Sequence, residues 1–258
     1  GTIDAVGDGV DSQMIGQRVT VAGVHGTWAE YFIASAASVL PLPDTIPDTL
    51  GAQLIAMPFS AISLLEMLQA QKGDWIIQTA ANGAVGKIMT VLAKARGINL
   101  VNLVRRDAAV AELTDMGIDN VLSTSDDNWK AKARALVGKA GAVSAIDSVG
   151  GDLAADLTDL LGANGELVVF GTATGTPLAL SSGTLIMKQI TVKGFWGAKV
   201  SDDMDPALRT RLITELVTLA AQGTLTLEDG GVYGLDQVTD AMNAALTPGR
   251  AGKVMLRP

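Results

Sequence analysis

Residues 75–106, WIIQTAANGAVGKIMTVLAKARGINLVNLVRR, decide the fold. Trp75 to Thr79 reads as a short apolar strand, and Ile76 and Ile77 lead into the turn Ala80-Ala81-Asn82-Gly83-Ala84-Val85-Gly86. An amphipathic helix follows, with Val85, Ile88, Met89, Leu92 and Ala93 on one face at i, i+3, i+4, i+7 and i+8. Leu100 to Val104 is a second strand. At such a strand–turn–helix junction, Gly83 lets the backbone approach a pyrophosphate lying on the helix N-terminus, and Gly86 lets the helix pack closely on the strand. Ala81 stands at the first glycine position of the full G-x-G-x-x-G pattern, so the motif is a shortened one. A G-x-x-G alone is also what a structural turn looks like; the flanking strand and helix turn the reading toward a dinucleotide site.

The tip of the second strand carries the next piece of information. An NAD site has an acidic residue about 20 positions after the glycines to hold the ribose 2′-hydroxyl. Here Val104 is followed by Arg105 and Arg106, whose guanidinium groups suit the 2′-phosphate of NADP, with Asp107 next at a helix N-cap. The alternative is a solvated pair of arginines. A methyltransferase, which shares the Gly-rich turn, would also want an acid at this tip.

Outward from this stretch the rhythm is strand and helix in alternation. A helix over about Gln53 to Gln69 precedes it. After it come a helix at Ala109–Met116, a strand at Asn120–Ser123, a helix at Trp129–Val137 and a strand at Val143–Val149. A helix striped by Leu153, Leu157, Leu160 and Leu161 leads to strands at Glu166–Phe170 and Ile190–Phe195. Alternation with crossover helices predicts an α/β fold, a doubly wound six-stranded parallel sheet. Residues 1–50 have a different pattern. Thr2–Val6, Arg18–Ala22 and Ala29–Ile33 read as short strands between glycine turns, ending at Pro41-Leu42-Pro43 and Pro47. Asp205 and Pro206 open a helix with Leu208, Leu212, Ile213, Leu216 and Leu219 inward, which stops at Gly223. A helix at Val238–Leu246 and a strand at Lys253–Leu256 close the chain. The expected domains are 1–50, a partial β-rich substrate domain; 51–198, a nucleotide-binding domain; and 199–258, returning to the first.

Composition agrees with this. Of 258 residues 48% are hydrophobic and 18% charged, with 29 glycines, as suits strands covered on both faces. The formal charge is −8, from 19 Lys and Arg against 27 Asp and Glu, and no basic stripe appears, so a nucleic-acid surface is not expected. No apolar run is long enough to span a bilayer and no basic-then-apolar leader opens the chain, so a soluble, cytoplasmic protein without a membrane partner is expected. With no cysteine and His25 as the one histidine, neither disulfides nor a cysteine-ligated zinc can form, and no metal is expected.

Taken together, several segments resemble the zinc-independent medium-chain dehydrogenase/reductase superfamily, closest to its trans-2-enoyl-thioester (enoyl-CoA) reductase branch. They are Gly26-Thr27-Trp28, the prolines around 41–47, Pro58-Phe59-Ser60-Ala61, Gly73-Asp74, Gln78-Thr79-Ala80-Ala81-Asn82, Val104-Arg105, Val149-Gly150-Gly151, Phe170-Gly171, Gly194-Phe195-Trp196 and Lys253. The resemblance implies a GroES-like β-rich substrate domain beside the Rossmann domain, and NADP as cofactor. It places Asn82, Gly83, Ala84, Val85 and Gly86 along the pyrophosphate and Arg105 and Arg106 at the adenosine ribose. Phe170, Gly171, Thr172 and Ala173, with Phe195, Trp196 and Gly197, would flank the nicotinamide half, and Lys253 would reach the cofactor or substrate. Met57 stands where the branch has a polar cofactor contact. For Phe195 and Trp196, edge-strand packing is the alternative role.

The resemblance also implies hydride transfer from NADPH to an activated alkene, a 2-enoyl thioester first, in a homodimer joined through the edge strand Ile190–Phe195. A quinone or enone/aldehyde reductase, or a non-catalytic NADPH-binding protein, would share the same fold. Gly1 aligns inside the family pattern, beyond the part that holds the branch's proton-donating tyrosine; neither Tyr31 nor Tyr233 stands at that place, and no catalytic residue is assigned. These 258 residues alone are therefore expected to bind NADPH and to catalyse poorly.

Overall fold

Apolar strand runs and amphipathic helices alternate because each strand of a parallel sheet must be covered on both faces by its crossover helix. The computed structural model describes residues 1–247 and 250–258. In chain order the elements begin with β1 (Val19–Val21), β2 (Val39–Pro41), α1 (Asp48–Gly51) and α2 (Met57–Met67). The alternating region is β3 (Trp75–Gln78), α3 (Ala84–Ala95), β4 (Asn99–Val104), α4 (Asp107–Asp115), β5 (Val121–Ser123), α5 (Trp129–Val137), β6 (Ala142–Asp147), α6 (Leu153–Leu160) and β7 (Leu161–Val169). Then come α7 (Ser182–Lys188), β8 (Thr191–Gly194), α8 (Gly197–Asp202), α9 (Pro206–Ala221), β9 (Asp229–Gly234), α10 (Val238–Leu246) and β10 (Lys253–Arg257).

The chain divides into two compact units, Gly1–Phe59 with Thr210–Pro258, and Ser60–Arg209. The division falls after Phe59 and after Arg209, where the sequence suggests boundaries after 50 and 198.

In the unit Ser60–Arg209 the six-stranded sheet has the order β5-β4-β3-β6-β7-β8, all pairs parallel. This is the doubly wound arrangement, with the strand order reversing at β3 and β6. Ile77, Val101, Leu103 and Leu167 from the strands pack with Trp129, Ala133, Leu157 and Leu160 from α5 and α6 in one apolar core. A smaller cluster of Ala81, Val104, Ala109, Leu113 and Ile118 lies under α4. The helix face expected for residues 85–93 is seen in α3, where Ile88, Met89, Leu92 and Ala93 are buried. β8 is an edge of the sheet, as its sequence position implies.

The other unit holds two small sheets, antiparallel β1–β2 and parallel β9–β10. Here the sequence reading needs correcting. Thr2–Val6 makes one isolated bridge, Thr2 to Arg18, and Ala29–Ile33 makes no strand. Alternation of side chains signals a strand only where a neighbour supplies the hydrogen bonds. β9, unread in the sequence, is a glycine-rich strand (DGGVYG) whose composition hides it. Elsewhere, α2 begins at Met57 where the sequence suggests Gln53; α7 and α8 were not anticipated; and Asp107 is the first residue of α4, with Arg106 at the cap. The Asp205 cap is as read: its Oδ1 accepts from the N–H groups of Ala207 (2.9 Å) and Leu208 (3.1 Å). Among the described residues no helix is long and apolar enough to cross a membrane.

Candidate cofactor site

Parallel register puts the C-terminal ends of β3 to β8 on one side of the sheet, and that side carries every candidate cofactor residue except Lys253. Between β3 and α3 the chain turns through Ala80, whose φ of 51° lies in the left-handed region. The turn is closed by the Gly83 N–H donating to Ala80 O at 2.8 Å. Asn82, Gly83 and Ala84 are exposed, Val85 is half-buried and Gly86 is buried. No side chain caps α3, so its first-turn N–H groups are left for solvent or an anionic ligand.

Gly86 is required by space rather than by φ, and Gly83 sits in a tight place. A Cβ on Gly86 would lie 2.7 Å from the Cα and O of Ala81, so helix and turn touch through backbone. A Cβ on Gly83 would lie 3.1 Å from Ala80 O. The turn therefore has the low profile a pyrophosphate needs, and Asn82 to Val85 are the residues that would hold one.

A buried polar network fixes this turn. Gln78 Nε2, at the end of β3, donates to Gly86 O (3.0 Å) and to Asn102 Oδ1 (2.6 Å) on β4. Asn102 Nδ2 in turn donates to Asp119 O (2.8 Å). At the switch point, the fully buried Asp147 at the end of β6 accepts from the N–H groups of Val149 (2.8 Å) and Gly150 (3.1 Å). The Thr79 hydroxyl accepts from the Ser148 N–H at 2.8 Å. The loop after β7 is stitched to the same segment. Phe170 N–H donates to Asp147 O and Ala173 N–H to Ser148 O, and Gly171 passes so close that a Cβ would stand 3.0 Å from Ser148 O. None of Gln78, Thr79, Asn102 or Asp147 was singled out for a role in the sequence. The available signal was a polar residue at the end of an otherwise apolar strand.

Arg105 and Arg106 lie at the tip of β4, both exposed, and neither guanidinium meets a side-chain partner among the described residues. Phe170 and Phe195 meet with ring centroids 5.6 Å apart. Phe195 is buried, whereas Trp196 next to it is 69% exposed. Gly197 begins α8, and a Cβ there would stand 3.0 Å from Ser60 Oγ. Thr172 and Ala173 are exposed. Lys253 belongs to the other unit, at the exposed start of β10.

The donors for a zinc ion do not fit. The chain has no cysteine and one histidine, and no cluster of three or more metal-ligating side chains occurs among the described residues. No chemistry is derived through a metal.

Comparison with known proteins bears on this geometry. The family model for zinc-binding dehydrogenases matches residues 84–212. A mitochondrial enoyl-[acyl-carrier-protein] reductase of Rattus norvegicus is 28% identical over 254 residues, covering 96% of this chain and 68% of the relative. A solved structure from Bacillus thuringiensis, described as an NADPH:quinone reductase, superposes with a TM-score of 0.86 at 25% identity, covering 98% of this chain and 77% of the other. A mycobacterial protein complexed with NADPH superposes with a TM-score of 0.80 at 25% identity, covering 100% of this chain and 80% of the other.

Proposed function

The chain belongs to the zinc-binding dehydrogenase family, as a zinc-independent medium-chain member of the enoyl-reductase branch, and we propose that it is an NADPH-dependent reductase of 2-enoyl thioesters. The observation that carries the cofactor half is the arginine pair. Arg105 and Arg106 stand exposed at the tip of the strand next to a glycine turn, where a ribose 2′-phosphate would receive charge-assisted bonds. When bound, NADPH supplies the hydride. The residues of this chain bind and orient: Asn82 to Val85 the pyrophosphate, the arginines the ribose phosphate, and Phe170 to Ala173 with Trp196 and Gly197 the nicotinamide half. The thioester half rests on the enoyl-reductase relatives.

A quinone or enone reductase is the second reading, favoured by the likeness to the Bacillus thuringiensis protein. NADPH oxidation by the complete gene product separates the readings, with crotonyl-CoA, longer enoyl-CoAs and quinones as acceptors. Turnover of the enoyl thioesters alone is the expected result, and turnover of quinones alone would replace it by the second. Tight NADPH binding with no turnover on any acceptor would leave a binding protein. Arg105→Ala should weaken NADPH binding by about 1.5–3 kcal/mol, the range for a charge-assisted hydrogen bond, and leave NADH binding nearly unchanged.

The same proposal includes a homodimer. β8 is an edge strand, and the α7 side chains Ile186 (66% exposed) and Met187 (83% exposed) are apolar and open to solvent. Two such edges meeting about a two-fold axis would pair the unsatisfied backbone and cover the apolar groups. Sedimentation at micromolar concentration should give a dimer, and a monomer there would overturn it. A reducing compartment such as the cytoplasm suits a chain without cysteine; the Rattus norvegicus relative is mitochondrial.

A further inference from the structure

Beside the arginine pair, β5 ends in Ser123-Thr124-Ser125. Ser123 is in register with Val104, and the Thr124 N–H donates to Val104 O at 2.8 Å, so the two strand tips end together. Beyond that point the sheet ladder stops and side chains take over. The Ser125 hydroxyl lies 2.6 Å from Arg105 O and donates to it. Ser123 Oγ and Ser125 Oγ are 2.9 Å apart, and the Ser125 N–H donates to Ser123 Oγ at 3.3 Å.

A hydroxyl has one proton, and that of Ser125 goes to Arg105 O. Ser123 must therefore donate to Ser125, which gives the relay one direction: Ser125 N–H to Ser123 Oγ, Ser123 O–H to Ser125 Oγ, Ser125 O–H to Arg105 O. Ser123 is buried, so its hydroxyl has little competition from water. The next residue, Asp126, is an acid that could oppose an anionic ligand here. Its carboxylate is engaged elsewhere, by Lys132 Nζ at 2.5 Å and the Asn128 N–H at 2.9 Å.

We infer that Ser125 is a positioning residue for cofactor selection: its hydroxyl pins the backbone of Arg105 so that the guanidinium stands where a ribose 2′-phosphate would lie. This rests on the NADPH reading above and goes further, because it assigns part of the selectivity to a residue on the neighbouring strand that itself contacts no cofactor. Without the hydroxyl, Arg105 is the first residue beyond the β4–β5 ladder, and its backbone carbonyl loses its partner. Only a cofactor with the 2′-phosphate senses that change. The pyrophosphate turn lies on α3 and is untouched.

The test measures NADPH and NADH dissociation constants for the full chain by fluorescence titration, in the parent, Ser125→Ala, Ser125→Thr and Arg105→Ala, with thermal unfolding as a check on folding. The expected result is NADPH binding weakened about three- to tenfold in Ser125→Ala, the worth of one hydrogen bond. NADH binding should stay within about twofold, and Ser125→Thr, which keeps a hydroxyl, should stay close to the parent. Equal loss of both cofactors in Ser125→Ala would make the role merely structural and overturn the inference, as would no loss at all. Those outcomes leave the NADPH reading standing if the parent prefers NADPH and Arg105→Ala loses that preference. A parent that binds both cofactors equally, or an Arg105→Ala with unchanged preference, would remove the arginine assignment and the Ser125 inference with it.

Discussion

The unit Ser60–Arg209 hides a larger share of its apolar side chains than the unit of residues 1–59 and 210–258 does. Of the 44 buried apolar residues among those described, 33 belong to the former and 11 to the latter. On the surface the balance reverses: of the fifteen exposed large apolar side chains among the described residues, nine belong to the latter, Trp28, Tyr31 and Ile33 (96% exposed) among them, and six to the former, Ile186 and Met187 among them. The difference lies in the lengths and partners of the strands. Six strands with crossover helices bury a continuous core, whereas β1 and β2, three residues each, make too small a sheet to cover the apolar chain around them. Good burial in one unit and poor burial in the other should appear as a difference in how mutation is felt.

The largest effect is expected from truncating the better-packed core. Leu157→Ala should cost about 2–5 kcal/mol, and Ile33→Ala should lie within about 0.5 kcal/mol, both from urea unfolding followed by circular dichroism. An Ile33→Ala cost as large as that of Leu157→Ala would break the comparison. A sharper version stays within the better-packed unit. A Cβ at Gly86 would meet only backbone, whereas one at Gly194 would meet nothing within 4 Å. Gly86→Ala should therefore destabilise by about 1–3 kcal/mol, the usual cost of overpacking, and Gly194→Ala by less than about 0.5 kcal/mol. Equal midpoints for the two variants would mean the turn can shift away from the helix.

A smaller effect concerns how α6 ends. Lys188 Nζ donates to Asp159 O and Leu161 O, both at 2.8 Å, and to Thr158 O at 3.2 Å, serving carbonyls that have no helical partner. Burial holds this ammonium below the usual lysine range. Lys188→Ala should cost about 1 kcal/mol, toward the low end for charged donors because the group is only partly buried; an unchanged unfolding midpoint would show that water replaces it fully.

The smallest effect is in the other unit. The Arg18 guanidinium holds the Asp48 carboxyl below its ordinary value, through a hydrogen bond of 2.8 Å. A depressed folded-state pKa contributes stability that is present above the unfolded value and lost as pH falls through the folded one. Asp48→Asn should therefore lower stability slightly near neutrality and converge on the parent as pH falls through the folded value, which flattens the acid end of the stability–pH curve; the loss is small because Asp48 is mostly exposed. A variant weakened in acid as much as at neutral pH would show that the hydrogen bond, and not the charge, matters.

Much of this was legible in residue order. Each strand of the six-stranded sheet contains four or more of its expected residues or, for β5, all three that pair, because apolar runs bounded by turn residues carry their own signal. The glycine turn and the arginine tip were legible for the same reason, being local and contiguous. What escaped was the set Gln78, Thr79, Asn102, Ser125 and Asp147. Gln78, Thr79, Asn102 and Ser125 each bond to a partner 12 to 69 positions away, and no single-sequence spacing brings such pairs together. The shorter bonds of Asp147 are local, to Val149 and Gly150, and what the sequence does not show is its full burial. The strand expected at Ala29–Ile33 failed for the complementary reason, since its alternation was right but no neighbour completes a ladder there.

The sequence by itself determined the doubly wound sheet, the edge position of β8, the capped start of α9 and the acid-free tip of β4. All of these follow from periodicity, turn chemistry and charge within a few consecutive residues. Only the tertiary structure decided which polar side chains hold the turn in shape, that Phe195 is packed while Trp196 is open, and that Ser125 is bonded to Arg105. Burial and hydrogen-bond direction depend on which segments come to lie side by side. Chain topology fixes that, and the local pattern of residues does not.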